Sequence, residues 1–318
     1  MAADEFSLIR RYFAAIAKPG HMTRVGIGDD AAVCDVPTDR QLVTSIDTLI
    51  SGVHFLPDTA AADIARKALA VNLSDLAAMA AEPAWFLLSL TLPEADEDWL
   101  DEFATALAET AEQHGIELIG GDTCRGQLSV TIQVSGLVPE NQYVTRQGAK
   151  PGDLVLVSGR LGDAALGLAQ LRQKISLPDE IRDRCIAALL RPEPRIGLGS
   201  YLRRYATAAI DLSDGLRADL GHILEASRCG AKIDRSRLPV DDWIRQNGAY
   251  AYALNAGDDY EICCTISAGD RDSIEAWNRA SPQCQLTEIG EITDAGFVLL
   301  QSGESVDLTE QRGFRHFD

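Results

Sequence analysis

The sequence has little histidine and no paired cysteine motif, and both absences limit the metal chemistry open to it. It contains five histidines and no H-E-x-x-H motif, so a histidine-rich zinc site is not expected. Its seven cysteines are scattered and form no C-x-x-C pair, which argues against a zinc ribbon and against a disulfide framework. We therefore expect reduced thiols and a cytoplasmic protein.

The common motifs of phosphate-transfer and hydrolytic enzymes are also missing. No Gly-Lys dipeptide occurs in the chain, so it has no P-loop. The H-R-D and D-F-G motifs of protein kinases and the G-x-S-x-G turn of serine hydrolases are absent as well. The sequence therefore excludes these three enzyme classes.

Long apolar runs and positive charge are scarce. No stretch of about 18 apolar residues occurs, so no membrane span is expected, and the acidic start "MAADEFSLIRRYF" does not resemble a signal peptide. Lys and Arg number 29 against 48 Asp and Glu, which gives a formal charge of −19. Because nucleic-acid binding needs basic patches, we expect neither nucleic acid nor a membrane as partner.

The length and pattern of the chain favour two domains. Its 318 residues exceed one ordinary domain. The turn-rich stretch "RQGAKPGD" (146–153) is the predicted boundary, which gives domains at 1–145 and 146–318. A long apolar helix over 61–81 and alternating strand-like and helix-like segments indicate an α/β or α+β class. Strand order does not follow from this periodicity.

Acidic residues recur beside Gly, Ser or Thr at the ends of apolar segments. Asp29 and Asp30 are adjacent, and two like charges about 4 Å apart repel by roughly 4 kcal/mol at an effective dielectric near 20. Asp75 falls within an apolar helix pattern, where a charge is costly unless it is paired. The two glycines of "IGGDT" are predicted to close a strand. The six segments are "VGIGDDAAVCDV", "TSIDTLISGVHF", "NLSDLAAM", "IGGDTCRG", "AIDLSDGL" and "NAGDDYEI".

Together these segments favour carboxylate–magnesium chemistry on phosphates. Each one alone is typical of a turn or a helix N-cap. Mg²⁺ takes one or two carboxylates together with substrate phosphates, and such an ion would stabilise acids that lie close together. Two other interpretations stay open from the residues, namely a metal-dependent phosphohydrolase and a non-catalytic acidic metal-binding module. A binding module would need a calcium-loop signature such as D-x-[DN]-x-[DN]-G, and "DLSDGL" does not supply one.

Seven motifs resemble, in order and spacing, those of the thiamine-monophosphate kinase family. That family belongs to the superfamily of aminoimidazole ribonucleotide synthetase-like ATP-dependent enzymes. The resemblance extends from "EFSLIRRYF" to "GFRHF" and so covers nearly the whole chain. The motifs are "GIGDDAA", "DTLISGVHF", "KALAVNLSDLAAM", "LIGGDT", "GAKPGD", "AIDLSDGL" and "GDDYE".

The resemblance implies a fold and an activity. The fold has an N-terminal mixed sheet that pairs into a barrel across a homodimer, and a C-terminal α/β domain that completes the substrate site. The activity transfers the γ-phosphoryl group of ATP to thiamine monophosphate, which is the last step of thiamine diphosphate biosynthesis. Several Mg²⁺ ions assist, often with K⁺.

The resemblance also implies roles for individual positions. The matching metal ligands are Asp30, Ser45, Ile46 through its backbone carbonyl, Asp47, Asp75, Asp122, Asp211 and Asp214. The matching ATP contacts are Gly121, Asp122, Arg146 and Ser213, of which Asp122 and Arg146 join Asp211 as catalytic residues. The matching thiamine contacts are His54, Asp258 and Phe314.

Three positions depart from the family pattern. Ile46 stands where the family often has a hydroxyl residue, Ala80 where it usually has Gly, and Asp258 where it usually has Glu. The shorter Asp258 side chain changes the reach toward substrate but keeps the carboxylate.

Another enzyme of the superfamily, which forms an acyl- or seleno-phosphate, is the alternative closest to this reading.

Overall fold

The computed structural model describes residues 8–14, 16–17, 20–301 and 304–306. The chain divides into two compact units, of which the first comprises Met1–Leu76 and Ala81–Gln142 and the second comprises Ala77–Ala80 and Tyr143–Asp318. Each unit contains its own sheet and helices, which confirms the predicted mixed α/β class. None of the helices in this described part has the length and apolarity that crossing a bilayer requires.

A four-stranded mixed sheet forms the centre of the first unit. The elements of this unit are a π-helical turn (Ile9–Phe13), β1 (Thr23–Val25), β2 (Val33–Cys34), β3 (Arg40–Ile50), α1 (Ala61–Ala78), β4 (Glu82–Leu92), α2 (Glu97–His114), β5 (Glu117–Arg125) and β6 (Ser129–Pro139). The strand order is β3-β6-β4-β5, in which only β4 and β5 are parallel. Strands β3 and β5 therefore lie at opposite edges of this sheet.

The two faces of this sheet differ in burial because successive side chains of a strand point to opposite sides. On one face Phe86 and Ile132 are fully buried, and hydrogen bonds from β3 to α1 place that helix on the same face. On the other face Leu42, Ile46 and Leu87 are 51%, 61% and 37% exposed. The first unit thus has a partly apolar sheet face open to solvent, which we call the open face.

Strand β5 is longer than the sequence predicted. The glycines of "IGGDT" do not close the strand, which continues through them to Arg125. The β4–β5 register shifts by one residue directly before the glycines, since Phe86 pairs with Leu118 and Leu87 pairs with Gly120. At Gly121, a Cβ atom would lie 1.8 Å from the Leu88 carbonyl oxygen, so the close approach of β4 requires glycine at this position. The glycines therefore permit tight pairing inside the strand.

The second unit is built on a seven-stranded sheet. Its elements are β7 (Leu154–Ser158), α3 (Asp163–Leu171), α4 (Asp179–Leu190), α5 (Gly199–Tyr205), β8 (Ala206–Asp211), α6 (Leu216–Ser227), β9 (Gly230–Asp234), α7 (Asp242–Asn247), α8 (Ala251–Leu254), β10 (Ile262–Ile266), α9 (Asp272–Ala280), β11 (Leu286–Thr293), β12 (Phe297–Gln301) and β13 (Glu304–Val306). The strand order is β13-β12-β9-β11-β7-β10-β8.

The central strands β7 and β10 are buried along their whole length. Their alternate residues enter two cores: Val155 and Cys263 belong to one cluster, and Leu156 and Cys264 belong to the other. Burial raises the pKa of the Cys264 thiol to about 12, so this cysteine is an inert core residue. Both β7 and β8 run antiparallel to β10. The carboxyl ends of β7 and β8 therefore lie beside the start of β10, at the same end of these three strands.

Position 80, where the resemblance implies that glycine is usual, has a left-handed backbone. Ala80 follows α1 with a φ of +59° and is fully buried. A side chain in this left-handed region costs roughly 1–2 kcal/mol relative to a right-handed conformation. The guanidinium of Arg203 donates to the Ala80 carbonyl oxygen at 2.7 Å. The local structure tolerates alanine here at the expense of backbone strain.

Candidate active site

Three of the predicted metal ligands lie together between β3 and α1. We call Ser45, Asp47 and Asp75 the β3–α1 group. Ser45 and Asp47 point toward the helix, and the Ser45 hydroxyl donates to Asp75 Oδ2 at 2.5 Å. The backbone N–H of Asp47 donates to the buried Asn72 Oδ1 at 3.0 Å. Ile46 lies between them on β3 and points the other way, so its side chain is on the open face. Only its backbone carbonyl is suited to a ligand role.

The Asp47 and Asp75 carboxylates interact unfavourably in the absence of a cation. Burial, reinforced by the negative charge of Asp75, raises the pKa of Asp47 to about 6. A cation near two carboxylates favours their charged forms. Carboxylate and hydroxyl oxygens are hard ligands of the kind that Mg²⁺ prefers. Ser45, Asp47 and Asp75 therefore have the chemistry of a partial magnesium site.

Among the described residues, no three Asp, Glu, His or Cys side chains gather closely enough to hold a metal ion by themselves. Mg²⁺ usually takes one or two carboxylates and completes its shell with water and substrate phosphates. The residues of the β3–α1 group fit an ion of that kind.

His54 lies in the turn that follows β3. Its Nδ1 accepts a hydrogen bond from the Ile50 N–H at 3.0 Å, and its carbonyl oxygen accepts one from the buried Lys67 ammonium at 3.3 Å. Since Nδ1 is an acceptor, the neutral imidazole carries its proton on Nε2. The turn therefore fixes both the position and the tautomer of His54.

Asp122 lies at the opposite edge of the sheet from Asp47. The register pairs Asp122 with Ser89, which places it on the open face, whereas Asp47 faces α1. Three interstrand spacings separate β3 from β5, or roughly 14 Å. Asp122 is exposed, and the Cys124 thiol donates to its Oδ2 at 3.6 Å. A single chain does not bring Asp122 to the β3–α1 group.

Asp29 and Asp30 lie in the connection between β1 and β2. Both are exposed, and the Asp30 N–H donates to Asp29 Oδ1 at 2.8 Å. Solvent reaches both of them and reduces their repulsion. Asp30 stays a predicted ligand, and the structure does not require a metal to explain the pair.

A second group of predicted residues lies at the edge of the second sheet where β8 ends. Asp211 is the last residue of β8 and is buried. Ser213 and Asp214 follow it in the turn before α6, where the carboxylate of Asp219 accepts from the N–H groups of Asp214 and Gly215, both at 3.0 Å. Burial is the main cause that raises the pKa of Asp219 to about 7. The sequence pattern did not single out Asp219, although it follows Gly215 by four residues.

The segment 257–261 lies directly against this turn. The Asp258 N–H donates to the Ser213 carbonyl oxygen at 2.9 Å, and Asp258 has a φ of +69°. Its carboxylate accepts from the Tyr260 hydroxyl at 3.2 Å. Backbone hydrogen bonding therefore brings Asp258 together with Ser213 and Asp214, which are 44 to 45 positions away in the sequence.

Arg146 belongs to the same part of the second unit. Its side chain is exposed, and its backbone carbonyl accepts from the Ser227 hydroxyl at 3.2 Å. Its positive charge acts on Asp219 and partly opposes the rise of that pKa. Arg146 therefore supplies a cation beside the turn that holds Ser213 and Asp214. Phe314 lies outside the described residues.

Substitution of Gly257 tests the contact between these two segments. In Gly257→Ala the new Cβ would lie 1.9 Å from the Ser213 carbonyl oxygen, so one segment must move. We expect a loss of about 1–3 kcal/mol in unfolding free energy and a fall in kcat/KM. The control is Gly221→Ala in α6, where a Cβ meets nothing within 4 Å and stability is expected to rise by up to about 1 kcal/mol. Equal melting curves and kinetics for both variants would contradict the arrangement.

Comparison with known proteins agrees with the motif assignment. Residues 28–138 match the family model "AIR synthase related protein, N-terminal domain", and residues 150–300 match "AIR synthase related protein, C-terminal domain". The chain is 46% identical over 324 aligned positions to thiamine-monophosphate kinase of Escherichia coli (strain K12), with 100% of this chain and 99% of that protein covered.

Two solved structures extend the similarity to the fold. The crystal structure of thiamine-monophosphate kinase from Stenotrophomonas maltophilia K279a has a TM-score of 0.86 at 44% identity, covering 96% of this chain and 99% of that one. A structure described as AaThiL complexed with AMPPCP and TMP has a TM-score of 0.76 at 30% identity, covering 98% and 97%. The chain therefore belongs to the thiamine-monophosphate kinase family of AIR synthase related proteins.

Proposed function

We propose that this protein transfers the γ-phosphoryl group of ATP to thiamine monophosphate, giving thiamine diphosphate and ADP in the cytoplasm. The observation that carries the proposal is the β3–α1 group, in which burial and the neighbouring Asp75 carboxylate both disfavour the charged form of Asp47 and raise its pKa. Full-length similarity to thiamine-monophosphate kinases supports the substrate assignment. The complex of a relative with AMPPCP and TMP supports the same pair of ligands.

The acceptor needs no general base. A phosphate monoester has a second pKa near 6, so it is mostly a dianion at neutral pH and is already nucleophilic. The sequence agrees, because it has five histidines in all and the Nδ1 of His54 is occupied by the Ile50 N–H. We assign His54 to binding thiamine monophosphate, with Nε2–H as the donor.

The main barrier is the repulsion between two anionic substrates. Mg²⁺ held by the site residues would supply positive charge that offsets this repulsion. The proposed ligands in the first unit are Asp30, Ser45, the Ile46 carbonyl, Asp47, Asp75 and Asp122, and those in the second unit are Asp211 and Asp214. K⁺ is a further candidate ion for this family's site.

The remaining residues would bind and orient the two substrates. Gly121 leaves the β5 backbone accessible near Asp122, and Ser213 and Arg146 offer a hydroxyl and a guanidinium to the nucleotide. The positive charge of Arg146 would oppose the charge that develops on the transferred group. Asp258, shorter than the usual Glu, and Phe314 would contact thiamine monophosphate.

We also propose a homodimer formed through the open face of the first unit. Leu42, Ile46 and Leu87 expose large apolar side chains there, and exposed apolar patches of this kind mark interaction sites. Pairing of two such sheets into a barrel would cover these residues. It would also allow one chain's Asp122 to approach the partner subunit, which is relevant because Asp122 and Asp47 lie at opposite edges of the sheet within a chain.

A single assay tests the activity. Purified protein with Mg²⁺, ATP and thiamine monophosphate is expected to form thiamine diphosphate and ADP in equal amounts, and EDTA in excess over Mg²⁺ is expected to stop the reaction. ADP with free phosphate but without thiamine diphosphate would indicate a phosphohydrolase. Metal binding without any turnover would indicate a binding module, and either result would contradict the proposal.

A further inference from the structure

A buried carboxylate outside the predicted set lies beside the second group of site residues. The side chain of Glu261 is 6% exposed and that of Arg195 is 14% exposed. Arg195 donates to it twice, from Nε at 2.7 Å and from Nη2 at 2.5 Å. The Ser158 hydroxyl donates at 2.5 Å and the Arg160 N–H at 3.4 Å. Four donors thus converge on one carboxylate, with the two-bond geometry typical of strong Arg–carboxylate pairs.

Stability alone does not account for this pair. Burial opposes the charge of Arg195, and the hydrogen bond and charge of Glu261 outweigh burial and raise the pKa of Arg195. Replacing a buried ion pair with apolar residues is often neutral or stabilising, because the desolvation cost of the pair is large. The neighbouring backbone is also shaped around the carboxylate: a Cβ at Gly159 would lie 2.0 Å from Glu261 Oε1.

Glu261 connects directly to the segment that carries Asp258. Its carbonyl oxygen accepts from the Leu212 N–H at 2.8 Å, and the Tyr260 N–H donates to the Leu212 carbonyl oxygen at 2.8 Å. These two bonds continue the pairing that joins Asp258 to Ser213. Movement of Glu261 would therefore shift Asp258 relative to the turn between β8 and α6.

The same carboxylate also holds the turn that follows β7. Ser158, which donates to Glu261, accepts from the Ile262 N–H at 2.8 Å. Two residues after Arg160, the Gly162 N–H donates to both carboxylate oxygens of Asp259, at 2.9 and 3.0 Å. Glu261 is therefore hydrogen-bonded to two turns. Its carboxylate contacts the turn that follows β7, and its carbonyl oxygen contacts the turn that follows β8.

We propose that Arg195 and Glu261 are positioning residues for thiamine monophosphate, which fix the 257–261 segment so that the Asp258 carboxylate is held at the substrate. This inference rests on the function proposed above. Neither residue touches substrate in this proposal. Supporting residues of this kind typically change affinity or activity by about 10- to 100-fold when they are lost.

The double variant Arg195→Met/Glu261→Met tests the proposal, because it removes both charges and leaves neither buried alone. We expect a melting temperature close to that of the unsubstituted protein and a KM for thiamine monophosphate raised by about tenfold or more. The KM for ATP is expected to change less. A purely structural role would instead lower the active fraction, and hence the apparent kcat, while both KM values stayed constant.

Arg195→Lys is the second variant and serves if the double variant does not fold. It keeps a positive charge beside Glu261 but loses the planar two-bond geometry, so the KM for thiamine monophosphate is expected to rise. The matched control is Arg279→Met/Glu275→Met, an ion pair whose side chains are 69% and 78% exposed, with wild-type kinetics expected. An unchanged KM in a folded Arg195 variant would overturn the inference. Wild-type turnover tests the proposed function separately, since this inference depends only on the ratio of variant to wild type.

Discussion

Asp75→Asn and Asp122→Asn are each expected to reduce the turnover of thiamine monophosphate by about 100-fold or more, because metal-assisted charge stabilisation is worth several kcal/mol. Asp75 accepts a hydrogen bond from Ser45, and its negative charge acts on Asp47. The amide in Asp75→Asn keeps an oxygen that can accept from Ser45 but loses the charge that a cation requires.

Both variants are expected to fold normally. Removing the negative charge of Asp75 relieves part of the effect that raises the pKa of Asp47, so the folded state loses a repulsion. Asp122 is exposed on β5, where an isosteric amide costs little. Melting temperatures measured beside kinetic constants separate these effects.

A third carboxylate provides the control for this pair. Asp101→Asn changes an exposed acid on α2 that has no proposed ligand role, and wild-type turnover is expected for it. A titration with Mg²⁺ should show weaker activation of the Asp75 and Asp122 variants than of the control. Normal turnover in both site variants would overturn the metal assignment.

Leu42→Glu is expected to convert the proposed dimer into monomers and to abolish turnover with it. Leu42 is 51% exposed on the open face, and a carboxylate buried there in an interface would carry a desolvation cost of several kcal/mol. Each 1.4 kcal/mol weakens association by about tenfold. Size-exclusion chromatography with light scattering, over a range of protein concentrations, measures the effect.

Val298→Glu is the matched control for this substitution. Val298 is 38% exposed on β12 of the second unit, so the variant makes the same change of chemistry on a strand with no proposed interface. It is expected to keep the oligomeric state and the turnover of the unsubstituted protein. An unchanged assembly in Leu42→Glu would place the interface elsewhere, and full turnover of a monomeric Leu42→Glu would show that one chain suffices for catalysis.

Much of the site is encoded locally and could be predicted from the sequence. The motif resemblance implied that Ser45, Asp47 and Asp75 are ligands, and the structure brings these three side chains together because a strand and the helix that follows it pack face to face. Asp211, Ser213 and Asp214 adjoin in the chain, so their proximity also follows from local sequence. Whether each of them binds metal or nucleotide stays a prediction.

The sequence did not predict the residues that hold other site residues in position. Arg195 and Glu261 are 66 positions apart, and neither lies in a pattern that distinguishes a buried ion pair from exposed charges. Asn72 and Asp219 lie within or beside quoted motifs, but their acceptor roles toward Asp47, Asp214 and Gly215 appear only when the backbone N–H groups are located.

The sequence by itself determined the family, the two-part α/β class and the exclusion of P-loop chemistry, because these depend on motifs and on periodicity along the chain. Only the tertiary structure decided that Asp29 and Asp30 are exposed and that "IGGDT" continues a strand. It also decided that Asp122 and Asp47 lie at opposite edges of one four-stranded sheet. Strand order and register arise from pairings between distant segments. The energy of each pairing depends on both strands, so no single segment determines it.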